Sequence, residues 1–491
     1  MNPMRICYVT SELAPLAKVG GLADVSGALP RELRARGHDV RVFLPLYRTV
    51  REGGAALTPD PLLRNVPLQL GRRTFHYSIV ATRLPGSDLE VRLVDCPALY
   101  DRPGIYTQDD DEHLRFLLLT RAAIDGCQLA QWPPDILHCH DWQTALAPLY
   151  LKTVYRWDRL FERTRSVLTI HNLGYQGTFD AAVLPDLGLG EGARMLHQED
   201  LRAGRIGFLK TGLAYADVLT TVSPTYAREI QTERLGMGLD GVLKRRANAL
   251  VGILNGVDTA EWDPRTDRHL AARYSEKSLW RKEKNKQALL EGLGLPYTKG
   301  VPVVGIVSRL SGQKGIELLD PTLPELLRER DLRFVALGSG EPRYEQLLQG
   351  IPTRFPGRAC FYRGFSDALA HRIEGGADFF LMPSVYEPCG LNQMYSMRYG
   401  TAPVVRATGG LADTVRQFDP ATGEGTGFVF EHFNADGLRW ALRLALRVYE
   451  DVKAWRRLQV NGMTTDFSWG DRARQYEELY RRVAATAEAP R

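Results

Sequence analysis

Short apolar runs alternate with stretches of helical period along the whole chain. Ile6–Thr10, Val40–Leu44, Ile136–Cys139, Ser166–Ile170 and Val218–Val222 read as strands in the first half. Val303–Val307, Arg333–Leu337, Ala359–Tyr362, Phe379–Met382 and Pro403–Val405 do so in the second. Between them the spacing predicts helices over Leu22–Arg36, Gln143 to about Val154, Phe208–Tyr215, Ser278–Leu290 and Leu391–Tyr399. Strand, helix, strand in repeated order is the pattern of parallel sheets covered by helices. Thr74–Thr82 and Leu89–Asp95 form a hairpin-like interruption. A turn at Asn255-Gly256, followed by a polar stretch through Asp263-Pro264, divides the pattern into two halves. The expected organisation is a domain over 1–247, a second over 248–467, and a final helix over 468–491. Ala473, Tyr476, Tyr480 and Val483 share one face of that helix, and Ser468 with Asp471 is its expected capping pair.

Length agrees with this division, because 491 residues exceed what one hydrophobic core organises. Apolar residues make up 44% and charged residues 25%, the range of an ordinary globular protein. The net charge of +5 is small, and its basic residues are spread out, which argues against a nucleic-acid partner. Six scattered cysteines without a CxxC pair read as reduced thiols. The chain runs from Met1 almost directly into a strand and holds no membrane-length apolar run, so the expectation is a cytoplasmic protein with no membrane partner.

Candidate chemistry gathers at strand ends, where open α/β sheets bind ligands. Phe379–Met382 leads into Glu387-Pro388-Cys389-Gly390-Leu391-Asn392-Gln393. A carboxylate, a tight turn at Gly390 and a helix N-terminus meet there; the carboxylate either caps the helix or faces a ligand. Val303–Val307 leads into Ser308-Arg309-Leu310-Ser311-Gly312-Gln313-Lys314-Gly315, whose guanidinium and ammonium suit a diphosphate. Lys18-Val19-Gly20-Gly21-Leu22-Ala23-Asp24 puts a cation and two glycines before a helix. That is an anion loop or plain turn chemistry, and neither a P-loop nor a dinucleotide fingerprint. Thr408-Gly409-Gly410-Leu411-Ala412-Asp413 echoes it, as if two such loops faced one another. His138-Cys139-His140-Asp141-Trp142 places two histidines on one strand face, but no third ligand at convincing spacing supports zinc, and no metal site is expected. His171-Asn172-Leu173-Gly174-Tyr175-Gln176-Gly177 reads as a shaped pocket loop, and Gly338-Ser339-Gly340 as a loop approaching a base or ribose. Asp109-Asp110-Asp111 reads as a charged helix start, not a metal-binding motif.

In this order the motifs resemble the bacterial glycogen synthase and plant starch synthase family along nearly the whole chain. Lys-x-Gly-Gly-Leu, His-x-His-Asp-Trp, His-Asn-x-x-Tyr-Gln-Gly, Ser-Arg-Leu-x-x-Gln-Lys-Gly and Glu-Pro-Cys-Gly-Leu all stand in place. The resemblance implies a retaining glycosyltransferase of the GT-B fold, two doubly wound Rossmann-like α/β domains facing across a deep cleft, with the last helix returning to the first domain. It implies transfer of glucose to the non-reducing end of an α-1,4-glucan. The donor would be ADP-glucose, as in most bacterial relatives, with UDP-glucose as the other candidate and no cofactor. It assigns Lys18, Arg309 and Lys314 to the donor phosphates, His171 and Asp141 to the glucose, and Glu387 to its hydroxyls. Gly20, Gly21, Asp24, Asn172, Asn255, Gly338, Cys389, Gly390, Leu391, Thr408, Gly409 and Gly410 are the expected substrate-binding positions. One departure is Val385 before Tyr386, where many relatives have Arg followed by Phe. The lack of a long N-terminal extension of the plant type points to the bacterial branch. The rivals are a glucan phosphorylase, which would need pyridoxal phosphate, and an inactive glucan-binding scaffold.

Overall fold

The computed structural model describes residues 3–107 and 109–486, which divide into two compact units. Unit one comprises residues 1–222, 227–256 and 469–491; unit two comprises 223–226 and 257–468. The change of unit thus follows Gly256, whereas the sequence places it after residue 247, and the last helix belongs to unit one.

Unit one is built on a ten-stranded sheet. Its strands are β1 (Arg5–Val9), β2 (Asp39–Pro45), β3 (Thr58–Pro59), β4 (Val66–Leu70), β5 (Arg73–Arg83), β6 (Glu90–Asp95), β7 (Ile136–His140) and β8 (Arg165–Ile170). A separate small antiparallel pair is β9 (Thr178–Asp180) with β10 (Arg205–Gly207), and β11 (Val218–Thr221) and β12 (Leu250–Gly252) complete the large sheet. The spatial order is β12-β11-β8-β7-β1-β2-β6-β5-β3, with β4 on β5. From β12 to β6 every pair is parallel; the hairpin partners β5, β3 and β4 are antiparallel. Strand order reverses beside β1, whose neighbours are β2 on one side and β7 on the other. In open parallel sheets such a reversal is where ligands bind, outside the carboxyl ends of the strands.

Unit two has a six-stranded, all-parallel sheet: β13 (Val303–Leu310), β14 (Arg333–Gly340), β15 (Ala359–Arg363), β16 (Phe379–Met382), β17 (Ala402–Arg406) and β18 (Phe428–Phe430). Its order β15-β14-β13-β16-β17-β18 reverses between β13 and β16. Val304, Ile306, Phe334, Phe379, Leu381 and Val404 are buried in one core with Leu319, Leu323 and Leu326 of one helix and Leu438 and Leu442 of another. This continuous burial is why these strands read as unbroken apolar runs.

Two local expectations are corrected. The helix expected over Gln143 to Val154 is two short helices, Asp141–Thr144 and Ala147–Lys152, with Pro148 in the first turn of the second. Proline has no N–H to extend the earlier helix but fits a new first turn. The Ser468–Asp471 capping pair does not form. The Ser468 amide donates to Asp466 at 2.8 Å, and Asp471 accepts from Arg472, Arg474 and Gln475. The three acids at 109–111 do lead into the helix Glu112–Leu129, and Asp109 and Asp111 both accept from Arg102.

The last helix, Trp469–Ala485, lies against the first, Gly21–Ala35. The Arg36 Nε, just past that first helix, donates to Glu477 at 3.0 Å. Tyr480 is fully buried and its hydroxyl bonds His138 Nδ1 at 2.7 Å, while His138 Nε2 meets Thr169 Oγ1 at 2.7 Å. Both His138 nitrogens are therefore engaged, and the helix is seated on the β7 end that carries the candidate residues. Tyr480→Phe leaves His138 Nδ1 without its partner in the dry interior and should lower unfolding free energy by about 1–3 kcal/mol in urea titration. An unchanged midpoint would mean that this bond does not help seat the helix.

Candidate active site

In unit one the loop after β1 is organised by Glu12, which the sequence reading passed over. Its Oε2 accepts from the amides of Val19 and Gly20, both at 2.8 Å, and Oε1 from the Tyr106 hydroxyl at 2.7 Å. The Gly20 amide, expected to face an anion, is thus donated to Glu12. Gly21 opens the helix, and Lys18 Nζ reaches Asp24 Oδ1 in its first turn at 2.6 Å. Both side chains of that pair remain partly exposed. Signs of Glu12 were present in the sequence, as an acid just after a buried strand, but no periodicity distinguishes it from a surface acid.

The loop after β7 carries Asp141 in the left-handed region at φ 53°, a strained conformation for a non-glycine residue that Asp tolerates better than most. That turn brings Asp141 Oδ1 to the amide of His171 at 2.7 Å and of Asn172 at 3.4 Å. His171 Nε2 in turn shares a hydrogen bond with His140 Nδ1 at 3.0 Å. The strand ends of β7 and β8 thus bring His140, Asp141, His171 and Asn172 into one cluster. The 171–177 loop is held by Gly177, at φ 59°, where a Cβ would lie 2.4 Å from the Trp142 ring. Asn255 is buried in the same unit and its Oδ1 has no hydrogen-bond partner among the described residues.

Burial sets the charges here. It pushes the His171 pKa down to about 3 and the His138 and His140 values well below normal, so all three rings are neutral at pH 7. Burial also raises Asp141 to about 7, against the two backbone amides that favour its carboxylate. These are a neutral hydrogen-bonding imidazole and a carboxyl balanced between its two forms, each suited to a polar, uncharged ligand such as a sugar.

In unit two the loops after β13 and β16 meet at the strand-order reversal. Lys314 Nζ lies 2.7 Å from Glu387 Oε2, which also accepts from Ser384 Oγ at 3.0 Å. The Gln313 carbonyl accepts the Val385 amide at 2.9 Å, so the position that departs from the family pattern serves through its backbone. Arg309 is exposed at the end of β13. Gly315 sits at φ 66°, and a Cβ there would approach the Pro383 carbonyl oxygen to 2.0 Å; the glycine after the lysine is required by this contact.

The second Gly-Gly step has a different cause from the first. A Cβ on Gly409 would lie 1.9 Å from the Glu387 carbonyl oxygen, and one on Gly410 2.1 Å from that of Cys389. The Gly410 amide donates to Glu387 O at 3.1 Å. Thr408, Gly409 and Gly410 therefore buttress the Glu387–Cys389 backbone. No atom stands within 4 Å of a Cβ on Gly20, so the echo between the two motifs is one of letters more than of packing. Gly390 turns the chain at φ 73° with Gln393 folded over it, Gln393 Nε2 donating to the Cys389 and Gly390 carbonyls at 3.0 Å each. Cys389 is buried and Leu391 precedes the helix Asn392–Arg398. Gly338 is likewise accounted for by packing, since a Cβ would meet Ser308 O at 2.1 Å.

Family comparisons extend this picture over the whole chain. The model of the starch synthase catalytic domain matches residues 5–245, and that of glycosyl transferases group 1 matches residues 295–458. A glycogen synthase of Koribacter versatilis is 46% identical, covering 98% of this chain and 98% of that one. One of Thermotoga maritima is 43% identical over 98% and 99%. Among solved structures, the catalytic domain of starch synthase IV from Arabidopsis thaliana, bound to ADP and acarbose, superposes with a TM-score of 0.91 at 35% identity, covering 99% of this chain and all of that one. The fold is GT-B, and the chain belongs to the glycogen synthase and starch synthase family of glycosyltransferases.

Proposed function

We propose that this protein is a glycogen synthase that moves glucose from ADP-glucose to the 4-hydroxyl at the non-reducing end of an α-1,4-glucan, with retention of configuration. The observation that carries the reading is the Lys314–Glu387 pair at the strand reversal of unit two, in the loop that follows β13 and its Arg309. A diphosphate leaving group needs fixed positive charge, and a half-buried lysine held beside one carboxylate is placed to take a phosphate. The ADP and acarbose bound to the Arabidopsis relative support a nucleotide-sugar donor and a glucan acceptor.

In this mechanism Lys314, Arg309 and Lys18 neutralise the diphosphate as the anomeric C–O bond breaks. The acceptor hydroxyl attacks from the same face, and the departing phosphate oxygen takes its proton. His171, neutral, orients the 6-hydroxyl, and its carbonyl lies near the anomeric carbon. Asp141 holds the His171 loop and tolerates developing positive charge on the sugar. Glu387 binds hydroxyls of the transferred glucose once Lys314 turns to the phosphate. Gly20, Gly21, Asp24, Asn172, Asn255, Gly338, Cys389, Gly390, Leu391 and Thr408–Gly410 shape the surrounding loops. Among the described residues no helix is long and apolar enough to cross a membrane, and all six cysteines are free thiols, in keeping with a place in the cytoplasm.

Nucleoside diphosphate release, measured from ADP-glucose and from UDP-glucose with and without glycogen, tests this directly. Glycogen-dependent ADP release with chain elongation is expected. Faster UDP release would reverse the donor assignment, and silence with both would overturn the function. Lys314→Ala should lower kcat by about 10²–10³-fold, the loss typical of removing one group that stabilises a transition-state anion. A near-normal kcat would remove Lys314 from the leaving-group role.

Stability should depend on pH through the same groups. Between about pH 3 and the unfolded histidine value of about 6.5, the unfolded chain holds a proton on His171 that the folded chain lacks, so stability rises with pH. Asp141 acts oppositely: the folded chain keeps its proton up to about pH 7, the unfolded chain only to about 3.9, so its contribution falls as pH rises through that window. His171→Gln should therefore flatten the rise in urea midpoint from pH 4 to 6.5, and Asp141→Asn should steepen it. Parallel curves for all three proteins would contradict the buried, neutral assignment.

A further inference from the structure

Beyond the transfer site, one cluster in unit two has the donor geometry of a metal centre. Ser366 already caps the helix Asp367–Gly376, its hydroxyl accepting the Leu369 amide at 3.3 Å. Asp367 and His371 stand one turn apart on that helix, and His269 reaches them from the loop at the start of unit two. His269 Nε2 lies 3.8 Å from Asp367 Oδ2, and His371 Nε2 4.0 Å from Asp367 Oδ1; all three donor atoms fall within 4.8 Å of one another.

The second observation is the state of His371. The ring is only 2% exposed, yet its Nε2 has no hydrogen-bond partner among the described residues. Its other nitrogen, Nδ1, bonds Asp267 Oδ2 at 2.7 Å. Asp267 is itself fixed by the Tyr399 hydroxyl at 2.6 Å and the His269 amide at 2.7 Å. Trp262 stacks on the imidazole at 3.8 Å between ring centres, with an interplanar angle of 8°, and Tyr395 stacks on the other side of Trp262 at 4.0 Å. A carboxylate on Nδ1 sets the tautomer that leaves a lone pair on Nε2, and the stack fixes where it points. This is the arrangement that orients a metal-bound histidine.

We infer that His269, Asp367 and His371 form a binding site for a borderline divalent cation of the zinc type, oriented by Asp267, which ties the loop at the start of unit two to the helix Asp367–Gly376. Two imidazoles and one carboxylate favour zinc over calcium or magnesium, which prefer oxygen ligands throughout. Zinc bonds of ~2.0–2.1 Å require donor separations of about 3.3 Å, so the site closes by a small inward turn of His269 and Asp367, the two more exposed ligands. Arg268 Nε, 3.4 Å from His269 Nε2, lies on the exposed side and swings out as the ion binds. A water completes the tetrahedron from the solvent side, where Asp367 is half-exposed.

The test is titration of the chelator-stripped full chain with Zn²⁺ against a chromogenic chelator, with thermal unfolding and the visible spectrum of the Co²⁺ form as second readouts. One Zn²⁺ per chain, a higher Tm and a tetrahedral Co²⁺ band are expected. His269→Ala and Asp367→Asn, both at accessible positions, should each weaken binding by about tenfold or more, and Asp267→Asn by about 10–100-fold. Zinc binding by the His269→Ala, Asp367→Asn double variant equal to that of the wild type would overturn the site. So would failure of the folded wild type to bind one ion.

Discussion

Two adjacent strands of unit two, β13 and β16, send their chains in opposite directions, and Lys314 and Glu387 meet across the gap at 2.7 Å. The contact is not a surface ion pair. Glu387 is 5% exposed and its carboxylate also accepts from Ser384, so removing either partner would strand a charge in a partly dry setting. Much of the nearby covalent detail exists to bring these two groups together. Gly315 lets the lysine loop touch the Pro383 carbonyl, and Gly409 and Gly410 let a third loop press against Glu387 and Cys389. The Arg406 guanidinium donates to the carbonyls of Ser384 and Val385 and braces the loop from below.

In unit one the charged groups after β1 and β7 are mostly engaged locally, Lys18 with Asp24 among them. There the carboxylates are spent on backbone: Glu12 on the amides of Val19 and Gly20, Asp141 on those of His171 and Asn172. The histidines are kept neutral by burial and linked to Thr169, Tyr480 and one another. Charge is concentrated at the strand reversal of unit two and oriented neutral hydrogen-bonding groups at the ends of β7 and β8.

The parallel strands were legible because burial on both faces leaves short apolar runs bounded by turn residues. Candidate residues stood out in the sequence where a strand end coincided with a distinctive motif, as at Arg309, Lys314, Glu387, His171 and Asp141. What stayed hidden were the partners. Nothing in the spelling of Glu12 or Tyr480 marks them as the groups that hold the β1 loop and His138, since their contacts span tens to hundreds of residues of sequence. The split of the 143–154 helix was missed because an apolar stretch reads as one period although Pro148 restarts it. The matching Gly-Gly-Leu-Ala-Asp segments show the converse, that a shared spelling does not fix a shared packing. Identical letters serve a close backbone approach at Gly409 and an open turn at Gly20.

The central claim is that Lys314 exchanges Glu387 for a nucleoside diphosphate. Calorimetric titration of ADP into the wild type and into Lys314→Ala, without sugar or glucan, addresses it at the level of binding alone. Loss of one charge-assisted contact to phosphate should weaken ADP by about tenfold or more. Equal ADP affinity in the two proteins would contradict the account and leave the Lys314–Glu387 pair as architecture only.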